Sequence, residues 1–218
     1  MRYKSVIFDL DGTLLNTLDD IRDSLNVALS KFGSKEKTLE EVRKAVGYAS
    51  RELIVRTLDG GKENPELQDV LDFYLKYYGK HSRIKTKPYD GITELLCDLK
   101  AQGIRTAIVS NKPHEVVSVL KSEIFGELID ISIGESERLP RKPNPSMLVK
   151  AAEILGCAKE ECVYVGDSEV DVLTAQNAGM DLIAVLWGFR TKDELIKSGA
   201  KKLAADAKEL GRIIKQSE

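Results

Sequence analysis

The chain begins with an apolar run, Val6-Ile7-Phe8, that leads into Asp9-Leu10-Asp11 and breaks at Gly12. A short apolar run with polar residues at its end predicts a buried strand, with the two carboxylates at its carboxyl edge. After Leu14 the spacing changes. Leu18, Ile21, Leu25, Ala28, Leu29 and Phe32 recur at three and four residues and predict an amphipathic helix. Thr38-Leu39-Glu40-Glu41 has capping-box spacing and predicts a second helix through Val42 and Val46 to Gly47. Ser50 is expected to cap a third helix carrying Leu53, Ile54 and Leu58. Asn64 and Pro65 are expected to open a fourth, with Leu67, Val70, Leu71, Tyr74, Leu75 and Tyr78 on one face. Four successive helices predict a small bundle, and Lys87-Pro88-Tyr89-Asp90-Gly91 has the turn chemistry of a return hinge.

From Ile92 onward helix and strand patterns alternate. A helix over Ile92 to Leu99 stops at Gly103, and Ile104 to Val109 is an apolar strand. A helix around Val116, Val117 and Leu120 precedes a strand over Leu128 to Ile133. Another helix, from about Pro145 to Leu155, precedes the strand Cys162-Val163-Tyr164-Val165. Val170 to Ala178 is helical, Leu182 to Leu186 is a strand, and a short strand and a closing helix occupy Leu203 to Ile214. This order predicts an α/β fold: a doubly wound, Rossmann-like parallel sheet. Residues 1–14 plus 88–218 form the expected core, and residues 15–87 an inserted α-helical bundle. An insert directly after the first strand is placed to cover the carboxylates, exclude water and read substrate shape.

Composition narrows the function without choosing it. The chain has 218 residues with 33 basic and 35 acidic side chains, and no charge block marks a nucleic-acid or membrane partner. Asp9 ends the first apolar run too early for a signal-peptide core, and no later run is long enough to span a bilayer, so a cytoplasmic location is expected. Cys97, Cys157 and Cys162 lack zinc spacing and read as reduced thiols. With only His81 and His114 present, a histidine-rich metal site is excluded.

Unusual polar groups follow the other apolar strands as well. Ser110-Asn111-Lys112 follows Val109, and Gly166-Asp167-Ser168-Glu169-Val170-Asp171 follows Val165. Between them, prolines flank Lys142 in Arg141-Lys142-Pro143-Asn144-Pro145. Strand carboxyl ends are where ligands bind in open parallel sheets. Two acids one residue apart repel unless a cation offsets them, and a hard divalent metal does so. The pattern suits phosphoryl transfer to a carboxylate. Magnesium held by Asp9, Asp11 and Asp167 would neutralise charge, while Lys142, Ser110 and amides around Gly12 would hold phosphate oxygens. Ser110 also suits a helix cap, and Asp171 an acid favoured at a helix start.

Taken together, Asp9-Leu10-Asp11-Gly12-Thr13, Ser110-Asn111, Lys142 and Gly166-Asp167-Ser168-Glu169-Val170-Asp171 resemble the four motifs of the haloacid dehalogenase superfamily, in the family's order. The resemblance implies that Asp9 is the nucleophile of an aspartyl-phosphate and that Asp11 is the acid and base. Phosphate binding would fall to Gly12, Thr13, Ser110, Asn111 and Lys142. Mg2+ would lie on the Asp9 and Asp167 side chains and the Asp11 carbonyl, with Asp171 assisting. The bundle resembles the family's helical cap, with Tyr48, Ser50 and Arg51 as candidate readers of substrate, Arg51 by pairing with a carboxylate. The pattern is most similar to phosphoglycolate phosphatases. Pyrophosphatases and β-phosphoglucomutases of the same superfamily are alternatives, as is a phosphoacceptor or phospholigand-binding protein without turnover. The expected partner is a small phosphorylated metabolite, and the expected assembly a monomer or homodimer.

Overall fold

The structure, a computed structural model, describes residues 3–136 and 139–216; Met1-Arg2 and Ser217-Glu218, the ends of the expected core span, lie outside them. The apolar run forms β1 (Ser5–Phe8), every residue of which is buried. Its neighbours are β4 (Arg105–Pro113) and β6 (Cys162–Gly166), and β5 (Ile131–Glu135), β7 (Asp181–Val185) and β8 (Leu203–Ala204) complete a six-stranded sheet in the order β5-β4-β1-β6-β7-β8. All five pairings are parallel. Parallel strands need crossovers, and these are helices: α5 (Ile92–Ala101), α6 (His114–Leu120), α7 (Ser146–Leu155), α8 (Glu169–Ala178) and α9 (Lys192–Lys197), with α10 (Ala207–Lys215) closing the described chain. Apolar clusters cover both faces of the sheet. Phe8, Leu96, Ile108 and Ile214 belong to one, and Ile7, Met147, Leu148 and Tyr164 to the other. Burial on both faces explains why these strands are continuously apolar rather than alternating.

The segment after β1 leaves and returns along one path. Leu15–Asn16 (β2) pairs antiparallel with Lys87–Pro88 (β3), so the expected hinge is a two-stranded link whose strands run side by side. Between them lie α1 (Leu18–Lys31), α2 (Leu39–Ala45), α3 (Ser50–Thr57) and α4 (Leu67–His81). Their shared cluster includes Leu25, Leu29, Val42, Ile54, Val70 and Tyr74. Thr38 and Glu41 form the expected capping box. Two expected caps differ. Ser50 lies inside α3, whose N-cap is Ala49 without a side-chain bond, and Asn64 forms a turn by accepting from the Glu66 amide before α4 begins.

Two further departures concern the sheet. The strand expected to stop at Val109 continues to Pro113, with a register shift against β5 between those residues, so Ser110-Asn111-Lys112 lies in the strand's bulged end. A bulge of this kind re-aims side chains at a strand end. The strand expected from Leu128 begins only at Ile131, because Gly126–Leu128 is taken up by a 3-10 turn. Among the described residues no helix is long and apolar enough to cross a membrane.

Candidate active site

Asp9 continues the β1 ladder, its amide donating to the Val165 carbonyl at 2.8 Å. The chain then folds back tightly, with the Leu14 and Leu15 amides both donating to Leu10 O at 3.0 Å. Gly12 has φ +88°, and a Cβ there would lie 2.4 Å from an Asp167 oxygen. Only glycine lets this turn press against Asp167. The Gly12 amide donates to Leu15 O at 2.9 Å. In this structure the glycine's part is steric, letting the turn press against Asp167. Thr13, expected on phosphate, donates its hydroxyl to Asp167 Oδ1 at 3.3 Å.

Lys142 is the hub. It is 3% exposed, and its ammonium donates to Asp9 Oδ1 at 2.7 Å, Asp171 Oδ1 at 2.8 Å and the Tyr164 hydroxyl at 2.9 Å. Asn111, expected to touch phosphate, instead clamps the Lys142 backbone, donating to its carbonyl at 3.1 Å and accepting from its amide at 2.8 Å. Ser110 is buried with its Oγ accepting from the Lys112 amide at 3.2 Å, which leaves its hydroxyl hydrogen to give. Asp171 has both oxygens committed. Lys142 and Tyr164 donate to Oδ1, and the amides of Asp167 and Ser168 and the Ser168 hydroxyl donate to Oδ2. Its carboxylate thus orients Lys142 and the loop after β6.

One oxygen from each of Asp9, Asp167 and Asp171 lies within 4.8 Å of the other two. Three buried carboxylates face one ammonium, which leaves an excess of negative charge. Burial, only partly offset by Lys142 and reinforced by Asp171, lifts the Asp9 carboxyl to about 7. Burial, with repulsion from Asp171 and Asp9, raises Asp167 well above the carboxylate range. Asp171 is lowered, because its bonds to Lys142, Ser168 and Tyr164 outweigh its burial. Lys142 is itself raised despite burial, by Asp171 and Asp9. Hard oxygen donors with uncompensated charge fit a divalent cation of the magnesium type. Asp11 keeps its side chain out of this cluster: both its oxygens accept from Lys112 Nζ, at 2.6 and 2.8 Å.

A cavity of about 50 Å³ separates these groups from the helical insert, and Asp9, Asp11, Ser110 and Lys142 form its floor. Tyr48 and Ser50 reach it from above. Arg51 does not. It is exposed and lines an adjoining groove with Arg141 and Asn144 that shares Tyr48 and Lys142 with the cavity. The loop after β7 ties the insert down. Phe189 joins the insert's apolar cluster while its amide donates to Asp167 Oδ2 at 2.6 Å. Arg190, ion-paired with Glu169, donates to the carbonyls of Arg43 and Val46 at 2.9 and 2.7 Å.

Sequence reasoning assigned no role to Lys112, Tyr164, Tyr78 or Arg190. Lys112 carried a signal, since it directly follows Ser110-Asn111 at the end of an apolar strand. The other three looked like ordinary core or surface positions.

The haloacid dehalogenase-like hydrolase family matches residues 6–185. A phosphoglycolate phosphatase of Xanthomonas campestris pv. campestris is 34% identical over 199 residues, covering 89% of this chain and 88% of its own length. One from Thiobacillus denitrificans is 31% identical, covering 85% and 84%. A crystal structure from Lactobacillus delbrueckii subsp. bulgaricus, described as a candidate phosphoglycolate phosphatase, superposes with a TM-score of 0.91 at 36% identity, covering 98% of this chain and 99% of that one. The chain belongs to the haloacid dehalogenase-like hydrolases and is a phosphatase of that family.

Proposed function

We propose that the chain hydrolyses small carboxylated phosphate monoesters, phosphoglycolate foremost, through an aspartyl-phosphate on Asp9. The observation that carries the reading is the separation of two acids one residue apart. Asp9 sits on Lys142 in the acidic cluster, whereas Asp11 stands outside it and faces the cavity. This separation supports one carboxylate as nucleophile and the other as proton carrier. An Asp9 oxygen attacks phosphorus as the bond to the leaving oxygen breaks, and Asp11 gives that oxygen its proton. Water then attacks the phosphorus of the acyl phosphate, Asp11 takes the proton back, and Asp9 leaves as a carboxylate with inorganic phosphate. Lys142 and the Ser110 hydroxyl hold the equatorial oxygens, where charge is spread in the transition state. Mg2+, held by Asp9 and Asp167 with the Asp11 carbonyl, would supply neutralisation of the phosphate and the attacking acid.

Residues 15–87 act in this reading as a cap that sets specificity, with Tyr48 and Ser50 over the floor. The test is phosphate release with Mg2+ across phosphoglycolate, sugar phosphates, nucleoside monophosphates and pyrophosphate, with Asp9→Asn as control. Phosphoglycolate should lead, and Asp9→Asn should lower kcat by on the order of 10⁴-fold or more. Broad, slow turnover that still requires Asp9 would keep the mechanism and remove the substrate. Phosphate release stopping near one per chain would mark a phosphoacceptor instead.

A further inference from the structure

Tyr74 and Tyr78 stand one turn apart on α4 and stack, ring centroids 5.5 Å apart and planes at 5°. Both line the cavity over Asp9 and Asp11. The Tyr78 ring is 2% exposed, and its hydroxyl is fully buried without a hydrogen-bond partner. Keeping such a hydroxyl dry and unpaired is costly, and phenylalanine would fill the same space without that cost. Against the face of this ring, 4.7 Å from its centroid, lies the Lys112 ammonium, 4% exposed. Two lysines line the cavity. Lys142 is divided between Asp9 and Asp171, whereas Lys112 has the single carboxylate of Asp11. The cavity wall therefore carries a tyrosine with an unused donor, and against its ring a cation with a single acid partner.

Their position beside Asp11 says which end of a ligand they meet. In the reading proposed above, Asp11 protonates the leaving oxygen, so the group bonded to Lys112 lies next to the leaving group and away from the phosphate end at Asp9 and Ser110. In a small ester such as phosphoglycolate one methylene separates the ester oxygen from a carboxylate, a reach that suits so small a cavity. Burial, with the nearby carboxylates of Asp11 and Asp20, pushes the Tyr78 phenol well above its ordinary range, so it remains a donor. An anion entering beside Asp9 and Asp11 needs a cation and a donor to meet it, and these two groups supply both.

We infer that the Tyr78 hydroxyl and the Lys112 ammonium form the subsite that takes the carboxylate tail of the leaving group. The inference rests on the phosphatase reading, and it moves the carboxylate reader from Arg51, which lies outside the cavity, to α4 and the end of β4.

The test compares phosphoglycolate with ethyl phosphate, which keeps the chain length and lacks the carboxylate. The wild-type chain should prefer phosphoglycolate. Tyr78→Phe should lower that preference in kcat/KM by at least about tenfold, mainly through KM, because the polar partner of the carboxylate is gone. Its melting temperature should stay level or rise, which separates loss of recognition from loss of structure. Lys112→Met should lower the preference at least as far. Calorimetric binding of the same two esters to Asp9→Asn reads the ratio without turnover, so failed hydrolysis and a failed subsite give different results. An unchanged ratio in Tyr78→Phe by both measures, or a wild-type chain that does not distinguish the esters, overturns the inference.

Discussion

The sheet's carboxyl edge and the helical insert above it hold together by different means. At the edge, Asp9, Lys142, Tyr164, Asp167 and Asp171 are all buried, and the Asp171 carboxylate accepts from Lys142, Tyr164, the Asp167 and Ser168 amides and the Ser168 hydroxyl. In the insert, α1 to α4 share an apolar cluster, ion pairs such as Arg43 with Glu40 and Arg56 with Glu52 lie at its surface, and the buried carboxylate of Asp20 accepts from the Lys85 and Thr86 amides. Exposed pairs contribute about 0–1 kcal/mol each, so burial of leucine, valine and tyrosine stabilises the insert. The edge instead depends on charge balance in a dry setting, where removing one member leaves its partners uncompensated. The insert is therefore expected to tolerate loss of a surface pair, and the edge not to tolerate loss of a member of its cluster. The two meet at few polar points, chiefly Arg190 on the Arg43 and Val46 carbonyls, together with Phe189.

Removing the hub should break the comparison most widely. Lys142→Met leaves Asp9 and Asp171 without their shared cation, and loss of one partner of a buried pair costs about 3–5 kcal/mol. Denaturant unfolding should show a loss of that size, and phosphate release should fall by on the order of 10³-fold as the attacking carboxylate loses its counter-charge. A stability within about 1 kcal/mol of wild type would mean that the edge is not governed by charge balance.

The next effect distinguishes the edge by pH. Asp9 lies at about 7 in the folded chain against an ordinary 3.8, so between these values the folded state holds a proton that the unfolded state has released. Stability from this group is present below about 4 and is lost as pH rises toward 7, by about 1.4 kcal/mol per pH unit. Asp167 is shifted in the same direction; Asp171, lowered, acts oppositely and loses its contribution only in acid. Mg2+ requires the ionised carboxylates, so it should raise the melting temperature of the wild-type chain more at pH 8 than at pH 5.5. The insert contributes nothing to that difference, and Thr38→Ala should show the same Mg2+ shifts. A rise equal at both pH values would show that the cation binds elsewhere.

How much of this was legible in the sequence follows the same division. The edge was legible because apolar runs ending in Asp9, Ser110 and Asp167 are unusual, and buried parallel strands have no other place for such residues. The partners chosen by those residues were not legible. Asn111 clamps the Lys142 backbone and Thr13 donates to Asp167, contacts between residues distant in sequence that only the crossovers bring together. In the insert, period and caps located the four helices, but the rotation of each helix depends on what it packs against. Arg51 thus lines the neighbouring groove, while Tyr74 and Tyr78, read as one apolar face, line the cavity. Lys112 showed its place at a strand end in the sequence but not its partner, because it is the bulged end of β4 that buries it against Asp11.

The smallest effect is also the sharpest, because the same capping motif opens α2 in the insert and α8 at the edge. In α2, Thr38 Oγ1 accepts from the Glu41 amide at 3.3 Å while Glu41 Oε2 accepts from the Thr38 amide at 2.8 Å. In α8, Ser168 Oγ accepts from the Asp171 amide at 3.4 Å, and Asp171 Oδ2 accepts from the Ser168 amide at 3.1 Å and hydroxyl at 2.6 Å. Removing either cap hydroxyl should cost about 1 kcal/mol of stability. The functional cost should differ, because Asp171 also carries Lys142 and so fixes the cation against Asp9. Ser168→Ala frees one side of that carboxylate and should lower kcat about tenfold, as expected when a positioning contact loosens. Thr38→Ala touches only exposed helix ends and should leave kcat and KM at wild-type values. Parallel unfolding and kinetic measurements on the two variants decide the matter. Equal stability losses with unequal kinetics would show that one local motif serves folding alone in the insert and both folding and alignment at the edge, whereas equal kinetics would reduce Asp171 to an ordinary helix cap.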